Sequence, residues 1–149
     1  MRVGIRIATC GSGGGDLIVR TLMASDSFPE GFETGYEKMP VMKSWCWVAE
    51  ENGDAAGVLL AAPMHGIAYL MVIRVHPKAP NMTLLLLLRQ CMRDCVKRGF
   101  KGFCLHIAPT AEDGENMRKM IPLVRRSGGV QVLQPHVFLV GSTEKAARL

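Results

Sequence analysis

IAYLMVIRVHPKAPNMTLLLLLRQCMRDCVKRGFKGFCLHI, residues 67–107, is the stretch whose reading decides the fold. An apolar run over 67–75 ends at His76-Pro77. A proline-bounded loop follows, Lys78-Ala79-Pro80. A helix pattern then spans about Met82 to Arg98, Gly99 stops it, and a second apolar run covers 102–107. Strand, loop, helix and strand in that order make a βαβ unit, which implies two parallel strands joined by a right-handed crossover.

The helix is the firmest part of the unit. Leu84, Leu87, Leu88, Cys91 and Cys95 fall three or four residues apart, and Leu85, Met92 and Val96 widen the same stripe. Arg89, Gln90, Arg93, Asp94, Lys97 and Arg98 take the other face. Asn81 or Thr83 can serve as N-cap, and Pro80 sits just outside, where its missing N–H costs the helix nothing. Lys97-Arg98 complements the negative end of the dipole, and Gly99 suits the position after it. The helix start therefore faces the loop that leaves the first strand. Such an end offers unpaired N–H groups and a positive dipole to an anion.

Working outward, the chain has 149 residues, 48% of them hydrophobic. That suits a single folded domain over 1–149 with its own core. The net charge of +5 and a pI near 9.1 favour anionic ligands without choosing among them. There is no signal-like start and no apolar run of membrane length; Leu84–Leu88 is short and flanked by charge. The five cysteines, Cys10, Cys46, Cys91, Cys95 and Cys104, are scattered, odd in number and never spaced CxxC. They read as buried thiols of a reducing compartment, so the expected location is cytoplasmic and no metal site is expected. Aromatics make up 6%, which argues against a stacking surface for single-stranded nucleic acid. Nothing beyond charge recommends a nucleic-acid partner.

Val3, Ile5 and Ile7 alternate with Gly4 and Arg6 as in a strand, and residues 10–15 form a glycine-rich turn. Asp16 can cap a helix with Leu17, Ile18 and Leu22 inward. Residues 25–44 carry Pro29, Gly31, Gly35 and Pro40 and read as a long loop with a short helix near Tyr36. A strand over 45–50, an Asn52-Gly53 hairpin turn, a returning strand over 55–62 and a turn at Pro63, His65 and Gly66 lead into the 67–75 strand. Beyond Ile107 the pattern gives a helix over 115–126 with Met117, Met120, Ile121 and Val124 inward, which Pro122 should kink or shorten. Two closing strands over 130–133 and 137–140 follow, and the tail from Ser142 is expected to fray. The glycines at 11–15 lack a Walker lysine, and Asp16 stands where a dinucleotide fingerprint needs its third glycine, so nucleotide binding there is not expected. The fold class is mixed α+β: a central, mostly antiparallel sheet flanked by helices, with a βαβ unit at 67–107.

This order and spacing of elements, over nearly the whole chain, resembles the GNAT N-acetyltransferases. The resemblance implies a cleft where the 67–75 strand splays from the 102–107 strand, with acetyl-CoA as co-substrate. Its pantetheine arm would bond along the splayed strand at Ile73 and Val75. Its pyrophosphate would lie on the loop and helix start, at Lys78, Asn81, Met82, Thr83 and Leu84. Two features depart from the family pattern. The family's loop reads Gln/Arg-x-x-Gly-x-Gly/Ala, and here Lys78 to Thr83 contains neither glycine. The Tyr that many members place shortly before a Gly-Phe pair is replaced by Val124-Arg125.

His106, near the end of the second cleft strand, is the candidate catalytic base, since an imidazole titrates near neutral pH; the alternative for it is a packed strand residue. Cys104 reads as an inert buried thiol, Glu50 as a turn-flanking carboxylate and Tyr69 as a packed ring. The basic residues Arg89, Arg93 and Lys97 read as a solvated face. The function implied is acetyl transfer from acetyl-CoA to an amine, on a small molecule or a peptide. The alternative is a GNAT-shaped binding or assembly module without catalysis, for which ten methionines provide adaptable contacts. A homo-oligomer is left open.

Overall fold

The computed structural model describes residues 6–8, 16–32, 40–107, 118–128, 130–132 and 137–149. Among them, strands β1 (Arg6–Ala8), β2 (Asp16–Thr21), β3 (Cys46–Glu51), β4 (Asp54–Met64), β5 (Ile67–Val75), β6 (Gly102–Ile107), β7 (Val130–Val132) and β8 (Val137–Ser142) form one sheet, in the order β1-β2-β3-β4-β5-β6-β8-β7. Only β5 and β6 pair in parallel; every other neighbour is antiparallel. The helices are α1 (Thr83–Lys97), α2 (Met120–Arg126) and α3 (Thr143–Ala146), with a 3-10 helix over Pro40–Trp45. The mixed α+β class and the βαβ unit are as expected.

The main core lies between the sheet and the helices. Leu59, Leu70, Ile73, Phe103 and Leu105 of the sheet meet Leu86, Leu87, Leu88, Cys91, Met92 and Cys95 of α1, with Met120 and Val124 of α2. Burying each large apolar side chain of α1 is worth about 1.5–3 kcal/mol, far above the tenths that intrinsic propensity contributes. The opposite face holds a smaller cluster, Leu22, Phe32, Cys46, Val48, Val58, Leu60 and Val72. Two tight turns set the meander: Asn52-Gly53 and His65-Gly66 all have positive φ, as a two-residue hairpin turn with right-handed strand twist requires.

Gly57 of β4 decides how closely α1 docks. A Cβ there would lie 3.0 Å from the Arg74 carbonyl oxygen, 3.1 Å from Leu87 Cδ1 and 3.2 Å from Thr83 Cγ2. The first turn of α1 therefore rests directly on the strand backbone. Further along α1, Trp47 Nε1–H donates to Asp94 Oδ2 at 2.7 Å and Gln90 Nε2–H donates to Asp94 Oδ1 at 3.1 Å. Gln90 and Asp94, on the face expected to be solvated, are thus part of the helix–sheet contact, while Val96 of the expected apolar stripe is exposed.

Several expectations are corrected. Asp16–Thr21 is a strand, not a helix: Leu17 and Val19 alternate inward, and Arg20 ties β2 to β3 through Glu50 at 2.7 Å, with Asp26 at 2.8 Å on its other side. The first three apolar positions fit either period, and pairing with β3 decides. Trp45 ends the 3-10 helix instead of starting β3, and Pro63 lies inside β4. Neither Asn81 nor Thr83 caps α1; Met82 holds that position without a side-chain bond. Pro122 falls in the first turn of α2, where no helix bond is lost. The tail is ordered: Ser142 Oγ accepts the Lys145 N–H at 3.3 Å, Ala146 is fully buried, and Arg93 Nε–H donates to the Ala147 carbonyl at 3.2 Å. The glycines at 11–15, the helix near Tyr36 and the start of the 115–126 helix lie outside the described residues.

Candidate functional site

β5 and β6 begin as partners and then separate. Their parallel register runs from Ile67 opposite Gly102 to Leu70 opposite Leu105 and stops there. Both strands continue, β5 to Val75 and β6 to Ile107 against β8. The register of β4 against β5 shows the cause. Ala61 faces Leu70 while the adjacent Leu60 faces Val72, so Met71 is an extra residue on β5. A bulge bends its strand and re-aims the backbone. Here it stands beside the last shared rung, and the result is a wedge open toward the C-terminal ends of both strands.

The loop at the mouth of the wedge is tied to itself. The Lys78 N–H donates to His76 Nδ1 at 3.0 Å and the Ala79 N–H to the His76 carbonyl at 2.9 Å, while the His76 N–H donates to Ala56 at 2.8 Å. Thr83 directs both its N–H, at 3.0 Å, and its hydroxyl, at 2.7 Å, to the Pro80 carbonyl. The regular ladder of α1 begins with the Leu86 N–H on the Met82 carbonyl. The N–H groups of Leu84 and Leu85 lie between these bonds and form the open, positive end of the helix.

That end opens on a cavity of about 820 Å³, within the range of ordinary ligand sites. Val75, Pro80, Asn81, Met82, Leu84 and Leu85 form one wall, and Lys119, the residue capping α2, with Pro122, Leu123 and Arg126 of α2 forms the other. A group such as coenzyme A, with a long amide-bearing arm and an anionic head, fits this lining: a strand edge, unbonded amides at one end and two cations opposite.

The expected site residues are distributed as follows. Val75, Asn81, Met82 and Leu84 line the cavity together. Ile73 is fully buried, so only its backbone can serve the wedge, and Thr83 is fully buried with its polar groups engaged. Lys78 borders a separate cavity of about 410 Å³ with Glu51, Asp54 and His76. His106 is the first β6 residue past the last shared rung. Phe103 and Leu105 point into the α1-side core, so His106 points to the other face, half-buried. On that face a third cavity, of about 450 Å³, is lined by Glu30, Phe32, Arg74, Val75 and His76, and a fourth, of about 430 Å³, by Arg20, Glu30, Glu50 and Asp54. Val75 and His76 border both sides of the wedge. Val124, which the resemblance sets against the family's Tyr, is fully buried in the core.

Three features escaped sequence reasoning: the Met71 bulge, the His76 imidazole as a loop tie, and the α2 cations. Only the last had a signal, in the Arg118-Lys119 and Arg125-Arg126 pairs. Among the described residues no three His, Cys, Asp or Glu side chains are grouped as a metal site, and no helix is long and apolar enough to cross a membrane. Burial pushes the Cys46 thiol up to about 12 and the Cys104 thiol upward, so neither is an activated nucleophile.

No protein-family model matches the sequence, and no curated protein matches it by sequence. Solved structures do match by shape. The diaminobutyrate acetyltransferase of Paenibacillus lautus, in complex with its substrate L-2,4-diaminobutyric acid and coenzyme A, superposes with a TM-score of 0.63 at 13% identity, over 85% of this chain and 95% of that one. The ribosomal-protein-S18-alanine N-acetyltransferase of Escherichia coli gives 0.58 at 14% identity, over 85% and 94%. An acetyltransferase of the GNAT family from Staphylococcus aureus gives 0.52 at 14% identity, over 66% of each chain. With its single parallel pair, its bulged and splayed strand and its helix end at the mouth, this chain has the GNAT acetyltransferase fold.

Proposed function

We propose that the protein is an N-acyltransferase that uses acetyl-CoA to acetylate an amine. The observation that carries this reading is the coincidence of three features: the end of β5–β6 pairing at Leu70, the open amides at the start of α1, and the cavity between α1 and α2. Acetyl-CoA would supply a thioester whose acyl carbon passes from sulfur to the amine nitrogen.

The chain's own part is positioning and electrostatics. The exposed edge of β5 past Leu70 offers strand-like hydrogen bonds to an extended amide-bearing arm, as a sheet edge does to a peptide. The backbone at the Met71 bulge is turned out of the ladder and can polarise a carbonyl. The Leu84 and Leu85 amides hold the diphosphate. An amine approaching from the opposite face meets His106 at the wedge, where the imidazole takes up the amine proton. With Val124 buried in the core, α2 supplies no proton donor there.

That last feature, with the engaged loop amides, favours a second reading: a module that binds the carrier without turning it over. Release of free thiol from acetyl-CoA in the presence of small amines, polyamines and peptide N-termini separates the two. Amine-dependent release supports the transferase. Saturable binding with no release above the spontaneous rate supports the module.

A further inference from the structure

Lys119 and Arg126 both line the wall of α2 that faces the open end of α1. Seven residues apart, they lie two helical turns from each other on one face, about 10 Å along the axis. Among the described residues the lining of this cavity contains no carboxylate, whereas each of the three other cavities contains at least one. Beyond this lining, Arg89 stands one turn past Leu85 on the same face of α1. Its Nε is buried and finds no acceptor among the described residues. Burial, with repulsion from the nearby Arg93, lowers the Arg89 pKa. A buried donor without an acceptor costs about 1–3 kcal/mol, and an anion in the groove would relieve it. The amides at the start of α1 can hold one anionic group. They leave Lys119, Arg126 and Arg89 without a carboxylate partner among the described residues of the cavity wall.

We propose that the groove between α1 and α2 contains a second phosphate site, built by Lys119 and Arg126 with Arg89 one turn past Leu85 on α1, that reads the ribose 3′-phosphate of coenzyme A. The inference rests on the coenzyme A reading above. It makes the protein selective among thiol carriers. Coenzyme A presents a diphosphate to the helix end and a monophosphate to α2; 3′-dephospho-CoA presents only the first.

Calorimetric titration of the full chain with coenzyme A and with 3′-dephospho-CoA tests this. The expected result is coenzyme A bound at least about tenfold more tightly, a gap of 1.4 kcal/mol. The double variant K119A/R126A should close that gap while keeping its affinity for 3′-dephospho-CoA, and Arg89→Gln should narrow it. Arg125→Ala removes the same charge from the same helix outside the cavity wall and should keep the gap. Equal affinity of the unmodified protein for both carriers overturns this inference and leaves the transferase reading standing. A gap that survives in K119A/R126A also overturns it. If neither carrier binds, both fall together.

Discussion

Leu70 and Leu105 form the last rung shared by the two parallel strands, and Met71, the residue after Leu70, has no partner of its own on β4. The bulge and the end of pairing coincide because an extra residue on one strand turns the following backbone away from its old neighbour. Leu70 faces the α1-side core and Val72 the opposite cluster. Deleting Met71 therefore keeps every flanking side chain on its present face and restores plain alternation. The deletion variant is expected to melt cooperatively and to lose at least about tenfold in acetyl-CoA affinity, 1.4 kcal/mol. Thermal unfolding and calorimetry check this; unchanged affinity in a folded variant contradicts it.

His106 follows Leu105 directly and faces away from the helices. If it takes the amine proton, His106→Ala lowers turnover by about 10²-fold or more, the usual contribution of a positioned base. Acetyl-CoA affinity should stay near that of the unmodified protein, because the cavity of α1 and α2 lies elsewhere. Steady-state kinetics beside calorimetry makes the comparison. Unchanged turnover assigns His106 to packing.

Gly57→Ala places a Cβ against the Arg74 carbonyl, Leu87 and Thr83 at 3.0–3.2 Å. The Arg74 carbonyl is β5 backbone and cannot step aside by a rotamer change, and Leu87 and Thr83 crowd the same Cβ from α1, so the strand and the start of α1 must move apart. The expected cost is about 1–3 kcal/mol in urea unfolding. Carrier affinity should fall with it, because the same turn presents the Leu84 and Leu85 amides. Stability equal to the parent would show that α1 is less tightly seated than the distances indicate.

Cys46 gives a pH dependence with a definite sign. Burial pushes its thiol up to about 12, against 9.0 for the unfolded chain. Above pH 9 the unfolded state releases this proton and the folded state keeps it. Stability from this group is therefore complete below pH 9 and is lost as pH rises toward 12, by about 1.4 kcal/mol per pH unit. Urea midpoints from pH 8 to 10.5 should fall more steeply for the parent than for Cys46→Ala. Parallel slopes would contradict the assignment.

How much was legible depended on whether the deciding contact was local. The βαβ unit was readable because α1 writes its buried face at three- and four-residue spacing and β5 and β6 are bounded by Pro77, Gly99 and Gly102. The Asn52-Gly53 turn was readable from backbone chemistry alone. The strand at Asp16–Thr21 was misread because six residues fit both periods, and its partner, β3, lies some thirty residues on. The ordered tail was missed because Ala146 is held by α1 rather than by neighbours in sequence. The Met71 bulge leaves no mark in composition; it is a register fact between two strands. Lys119 and Arg126 carry no legible role in the sequence, because their place across the groove from the start of α1 is a tertiary relationship. The missing glycines of the 78–83 loop are legible in sequence, but the engagement of its Lys78, Ala79 and Thr83 amides by His76 and Pro80 is not.

The central claim is that the edge of β5 past Leu70 and the first amides of α1 together form one binding surface. Amide chemical-shift mapping of the ¹⁵N-labelled protein during titration with acetyl-CoA tests it most directly. The account predicts saturable shifts concentrated at residues 71–75 and at Leu84 and Leu85, with β2 and β3 unmoved. Shifts absent at millimolar ligand, or confined to the opposite face around Glu30 and Glu50, would contradict it.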